Sequence, residues 1–174
     1  MRRYWILLIT VMVLSFAVLG WIGVRIRDNA PPLAHQVLTQ DGRPVFEPGD
    51  IPAGQNVWQA MGGMEMGSIW GHGSYVAPDW TADWLHREAM AILDLWASAE
   101  SGKPYAALDP PLQASYRERL KELMRNNRYD PARQAIVVEP VRAEAIRTTS
   151  AHFMDVFSHG RQDYAIPAGP SPIR

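Results

Sequence analysis

The pattern of apolar and polar positions splits the chain into two unequal parts. From Tyr4 to Val24 (YWILLITVMVLSFAVLGWIGV) it is apolar throughout, with no charge over about 21 residues. A helix rises about 1.5 Å per residue, so this run spans about 32 Å. That matches a bilayer hydrocarbon core of about 30 Å. Tyr4, Trp5 and Trp21 stand near its ends, where amphipathic rings favour the lipid–water boundary, and Arg2, Arg3, Arg25 and Arg27 bracket it. A cleaved signal peptide has a shorter apolar core, about 7–15 residues, and a small-x-small cleavage site. The pattern here predicts a permanent anchor. The arginines on its two flanks balance, so charge alone leans only slightly towards an inside N-terminus.

After the anchor the pattern becomes broken and periodic. Asp28 to His35 contains Pro31 and Pro32 and reads as an extended linker. Val37–Thr39 and Val45–Phe46 flank Asp41-Gly42, the favoured turn pair, and predict a short hairpin. Pro44 makes the second strand an edge. Asp50 is the expected cap of a helix starting near Pro52, carrying Val57 and Trp58 and stopping at Gly62-Gly63. Gly62 to Pro78 holds five glycines and a proline, the composition of a structured loop. Three helices follow. One spans about Ala82 to Ser98 with Leu85, Ala89, Ile92, Leu93 and Trp96 on one face, ended by Gly102 and Pro104. The next has Asp109 as cap and a stripe of Leu112, Tyr116, Leu120 and Leu123. Ala135–Val138 reads as a strand. The last helix begins near Pro140, carries Val141, Ala145, His152, Phe153 and Val156, and stops before Gly160. Four helices around a glycine-rich loop predict a small, mainly α domain, and about 140 residues suffice for a real core.

Composition narrows the function. The 174 residues contain no cysteine, which removes disulfides, zinc–thiolate sites, thiol nucleophiles and covalent haem attachment together. Beyond Arg27 stand 13 basic and 18 acidic residues, a formal charge of −5. Nucleic acid is therefore not an expected partner.

Individual side chains offer little catalysis. Met61, Met64 and Met66 are soft enough for Cu(I), but methionine is also a common gap-filler and their spacing fits no strong pattern. His72, His86, His152 and His159 show no H-E-x-x-H or similar ligand spacing. Ser74 lacks the G-x-S-x-G elbow of a hydrolase. Asp79 and Asp83 are explained by a helix N-terminus, where carboxylates favour the dipole. Trp58, Trp70, Trp80, Trp84 and Trp96 are dense and predict core, with a stacked surface for a partner or a quinone ring as the functional alternative. The glycines from Gly62 to Gly67 are followed by no phosphate-loop lysine.

The stretch Gly54 to Ala89, GQNVWQAMGGMEMGSIWGHGSYVAPDWTADWLHREA, resembles the N-terminal extramembrane region of quinol-dependent nitric oxide reductases. The single N-terminal membrane helix, the Pro-Pro linker, the hairpin and the later FSHGRQDYAIPAG agree with it, so the likeness runs to about Gly169. The resemblance implies a cytochrome c fold without haem, anchored by one transmembrane helix and carrying a short hairpin. Its parts would be an anchor at 1–27, a linker at 28–35, the cytochrome c-like domain at 36–169 and an irregular tail at 170–174.

Two-subunit relatives carry a true cytochrome c reading approximately W-Q-x-x-x-C-x-x-C-H-T-x-x-G-x-G-x-Y-x-x-P-D. Trp58, Gln59, Gly71, Gly73, Tyr75, Pro78 and Asp79 match that pattern. The two cysteines fall on Gly63 and Met66, and the ligating histidine on Gly67. A c-type haem needs thioethers and an axial imidazole, which these three residues cannot supply. Bulky Trp and Met side chains are expected to fill the space instead. Trp58, His72, Tyr75, Asp79, Trp80, Trp84 and His86 are the implied structural and interface positions. Gly73 and Tyr75 correspond to a loop that meets an interface calcium, although calcium wants six to eight oxygens and these two alone bind it poorly.

In that family, nitric oxide is reduced to nitrous oxide in a following helical bundle with b-type haems and a non-haem iron. The ending Gly-Pro-Ser-Pro-Ile-Arg does not resemble the family's continuation, so the reading is of a truncated or split form with no cofactor of its own. The expected partners are the membrane and the catalytic bundle, or a second copy. The implied place is the inner membrane, single-pass, with the domain on the periplasmic or outer side.

Overall fold

The computed structural model describes residues 2–69, 78–164 and 166. The chain forms two compact units, Met1–Leu33 and Ala34–Arg174.

The first unit is helix α1, Arg2–Asp28. None of its residues is buried, and its mean hydropathy reaches 2.5 over an 18-residue window. An apolar helix with no buried face is stable in lipid and unstable in water. It is long and apolar enough to cross a membrane. At its end the Asn29 side-chain amide donates to the Arg25 carbonyl at 2.7 Å, satisfying one of the last free carbonyls.

The second unit is α-helical with one small sheet. Strands β1 (Gln36–Thr39) and β2 (Pro44–Phe46) form the expected antiparallel hairpin. Thr39 closes it from inside, donating its hydroxyl to Asp41 and accepting the Arg43 N–H at 3.0 Å. Then come α2 (Asp50–Ala60) and a 3-10 turn at Gly63–Met66. Helix α3 (Trp80–Ser101) and α4 (Pro110–Arg125) are joined by a second 3-10 turn, Tyr105–Ala107. Strands β3 (Tyr129–Asp130) and β4 (Ala135–Val138) precede α5 (Pro140–His159) and a last 3-10 turn, Gln162–Tyr164.

The hairpin belongs to a larger sheet than the sequence suggested. The order is β2-β1-β4-β3, with β4 running parallel to β1, from Gln36 opposite Ala135 to Thr39 opposite Val138. A parallel pair needs a long crossover, and α2, α3 and α4 lie between these strands in sequence. Local pattern carries no record of such a pairing. Pro44 does sit on the outer strand, where its missing N–H costs nothing.

Helix α3 is the spine, packed on both α4 and α5. Its lower half joins Ile92, Leu93, Trp96 and Ala97 to Tyr105, Leu108, Tyr116, Leu123 and Ala145. Its upper half carries Trp80 into an aromatic cluster with Phe153, Val156, Tyr164 and Ile166, flanked by Trp58, Trp84 and Phe157. A third cluster, Val37, Val138, Ala143 and Ile146, fastens the sheet to α5.

Two local expectations need correction, and a third holds in position without the side-chain bond. Leu85, placed on the core face, is 44% exposed; the face of α3 that packs inward runs through Trp80, Glu88 and Ile92 instead. Asp50 is the first residue of α2; Gly49 is its cap, and the Asp50 carboxylate accepts the Glu47 N–H at 2.8 Å. Asp109 holds the cap position of α4, but its side chain makes no capping bond. The Gln113 amide ties that start instead, donating to the Leu108 carbonyl at 3.0 Å.

Candidate functional site

The residues aligned with a haem-attachment motif lie where α2 turns towards α3. Helix α2 has no buried residue, so its tertiary hold is narrow. Trp58 supplies it. The indole meets Trp80 edge-on at 6.2 Å and Phe157 at 6.1 Å. Gly62 then takes φ 68°, a left-handed conformation that glycine adopts without strain, and the chain folds back over the indole.

Gly63 is buried directly against that ring. A Cβ at position 63 would stand inside it, with Trp58 Cε3 at 2.7 Å and two further ring atoms nearer still. Carbon atoms pack at about 3.5–4.0 Å. Met66 is half-buried, and its carbonyl accepts the Trp80 indole N–H at 3.1 Å. Gly67 is buried with φ 131° and ψ 176°, a region essentially reserved for glycine. The Ser68 carbonyl accepts the Trp80 backbone N–H at 2.9 Å, closing the loop onto the start of α3.

That start is well made. The Asp79 carboxylate accepts the N–H of Thr81 at 3.0 Å and of Ala82 at 3.3 Å. Such a cap contributes about 1 kcal/mol. The aromatic cluster continues inward from Trp80, which lies 5.4 Å from both Phe157 and Tyr164, and Trp84 stacks on Phe153 at 5.5 Å. Aromatic pairs each add about 0.5–1.5 kcal/mol beyond their burial.

Two polar networks brace this cluster, and neither was legible as a motif. Asp83 Oδ2 accepts from the Tyr164 hydroxyl at 2.7 Å and from Arg87 Nε at 3.1 Å, while Arg87 also donates to the Tyr164 oxygen. Burial, then the hydrogen bond to Asp83, push the Tyr164 phenol above its ordinary range. Glu88, 2% exposed, accepts from Trp84 Nε1 at 3.0 Å and from Arg142 Nε at 2.6 Å. The readable signal was Glu88 itself. It continues the i, i+4 line Trp80, Trp84, Glu88, Ile92, and a carboxylate on a core stripe must have a partner.

Other sequence candidates scatter. Met61 and Met64 are exposed and stand apart from the cluster, and His86 is exposed on α3. His159 is paired with Asp155 at 2.9 Å. Trp70, His72, Gly73, Ser74 and Tyr75 lie outside the described residues, and with them the calcium expectation. Among the described residues, no three His, Cys, Asp or Glu side chains gather as a metal site.

Residues 34–172 match the family model for the cytochrome c-like domain of NorB, a nitric oxide reductase component. The chain belongs to this family. No curated protein matches it. The NorB match takes in every element from β1 onwards, and the apolar α1 precedes it. Within this cytochrome c-like domain the residues do not fit a covalent haem. Trp58 fills the space where a thioether would leave position 63, the Gly67 backbone disfavours any side chain, and an aromatic cluster occupies the interior beside them.

Proposed function

We propose that this chain is the non-catalytic N-terminal part of a quinol:nitric oxide oxidoreductase. In this reading α1 anchors it in the inner membrane, and the domain covers the outer face of a membrane electron-transfer bundle from the periplasmic or external side. The observation that carries the proposal is the Trp58–Gly63 overlap. A cytochrome c-like domain whose attachment site is filled by its own tryptophan has a structural use left to it and no electron to carry. The family match supports the setting, a membrane reductase of nitric oxide.

The chain supplies no quinol-oxidising or nitric oxide-reducing chemistry in this reading. The bundle's b-type haems and non-haem iron do that work, and this domain shapes and shields their outer side. The alternative arrangement is a separate accessory subunit that docks on an independently encoded catalytic subunit. The division into an anchor unit and a self-contained domain with its own three core clusters suits it equally.

The test is co-expression with a catalytic bundle of the family in a haem-competent host. The chain purified alone is expected to show no Soret band and no nitric oxide consumption. With the bundle it should co-purify, and removing it should lower the activity or stability of the complex. A stoichiometric haem on the chain alone, or a bundle indifferent to its presence, overturns the proposal.

A further inference from the structure

The domain leaves one apolar face uncovered. Among the described residues from Ala34 onwards, six large hydrophobic side chains are exposed, and five of them, Val57, Met61, Met64, Ile69 and Leu85, fall between α2 and the first turns of α3. Val57 and Met61 stand one helical turn apart on the outer side of α2, and Met64 follows in the 3-10 turn, 67% exposed. Gly54 lies one turn before Val57, and a Cβ there would meet nothing within 4 Å, so this side of α2 is open along its length. Helix α2 has 11 residues and buries none of them. A helix needs about 12–15 residues to persist alone in water. One held through Trp58, with its opposite side apolar and open, has the character of an interaction surface.

The charge around this face has one sign. From Pro44 to His86 the chain carries Glu47, Asp50, Glu65, Asp79 and Asp83 and no lysine or arginine. Asp79 caps α3, and Asp83 is paired with Arg87. Glu47, Asp50 and Glu65 are exposed. Asp50 begins α2 on the same stripe as Val57 and Met61. Glu65 reaches back over the turn, its carboxyl carbon 3.9 Å from the Cβ position of Gly62. The apolar row therefore has a carboxylate at each end. That sign decides the occupant. A second copy meeting face to face brings like charges together, and an anionic lipid surface repels them. Helix α4, where Arg117, Arg119, Lys121 and Arg125 stand, exposes no large hydrophobic side chain, so a second copy offers no complementary surface there either.

We propose that the outer face of α2 and the 3-10 turn after it docks a protein segment of opposite charge, an apolar row flanked by lysine or arginine. Val57, Met61 and Met64 form the apolar contact, and Asp50 and Glu65 meet the flanking cations. Thioether side chains suit such a contact, because they are flexible enough to follow a partner's relief. Burial of the row supplies the attraction. The carboxylates fix the orientation and select the partner. The inference rests on the reading that this domain docks on a catalytic bundle, and it names the face that does so.

The test uses the full chain co-expressed with a catalytic bundle of the family and purified in mild detergent. A photoreactive residue in place of Met64 is expected to cross-link to a bundle peptide containing lysine or arginine, and one in place of Lys121 on α4 is not. Asp50→Asn with Glu65→Gln should lower co-purification severalfold and flatten its dependence on salt, since screening acts on the charges removed. Met61→Ser with Met64→Ser should lower it as well and leave the salt dependence in place. All four positions are exposed, so thermal unfolding of the chain alone should not change. Glu118→Gln with Glu122→Gln on α4 is the matched control and should have no effect. A wild-type chain that fails to co-purify defeats the docking reading, and this inference with it. A wild-type chain that co-purifies while either paired variant matches it, or that cross-links from position 64 only to a second copy or to lipid, overturns the inference and leaves the docking reading standing.

Discussion

The six-membered ring of the Trp58 indole lies where the side chain of any residue but glycine at position 63 would begin. The two residues are mutually exclusive with a thioether at that place. Trp58 packs edge-on against Trp80 and Phe157, so moving the indole aside disturbs both contacts. Gly63→Ala is therefore expected to destabilise the domain by about 1–3 kcal/mol, the usual cost of overpacking. Denaturant unfolding checks it. Combining it with Trp58→Leu should cost less than the sum of the single changes, because the pair is in contact. Additive costs would show that the indole moves aside freely.

The pair Glu88–Arg142 makes a second prediction. Both are largely withdrawn from water, and the carboxylate holds Trp84 as well. Removing one partner from a buried pair leaves an uncompensated charge, at a cost of about 3–5 kcal/mol. Arg142→Met alone should approach that loss. Arg142→Met with Glu88→Gln should recover most of it, since a neutral amide still accepts from the Trp84 indole. Thermal unfolding of the three variants decides the point.

At the start of α3, Asp79→Ala removes the side-chain acceptor for two backbone N–H groups. Loss of about 1 kcal/mol is expected, with Asp79→Asn nearly silent. Because the Ser68 carbonyl and Met66 carbonyl hang on Trp80 next door, hydrogen exchange should also quicken across 66–68 in the alanine variant. Exchange confined to α3 would separate the cap from the loop.

His152 supplies a pH dependence. Its folded pKa lies below the unfolded value of about 6.5. Between the two values the unfolded chain binds more protons, so stability is complete above about 6.5 and declines as pH falls towards the folded pKa. His152→Gln should flatten that decline. Tyr164 acts at the other end. Its raised pKa keeps the fold protonated above about 10, and the stability this contributes is lost as pH rises through the folded value. Tyr164→Phe should remove the alkaline component and also part the Asp83–Tyr164 contact that ties the segment after α5 to α3.

Much of the fold was written in local pattern. The lipid-length apolar run, the Asp41-Gly42 hairpin, Gly102 ending α3 in a left-handed turn, and Pro110 and Pro140 opening their helices all depend on neighbours a few residues away. Their physics is short-range, so a single sequence expresses it. The absence of cysteine and the glycine at position 67 likewise close off covalent haem without reference to any fold. What only the tertiary structure decided are relations across long separations. The parallel pairing of β1 with β4 joins residues nearly a hundred positions apart, and Arg142 reaches Glu88 from another helix. The sequence named Trp58 and Gly63 as neighbours in a motif. That one occupies the space of the other's missing side chain depends on how α2 meets Trp80 and Phe157, and packing of that kind exists only once three distant segments have come together.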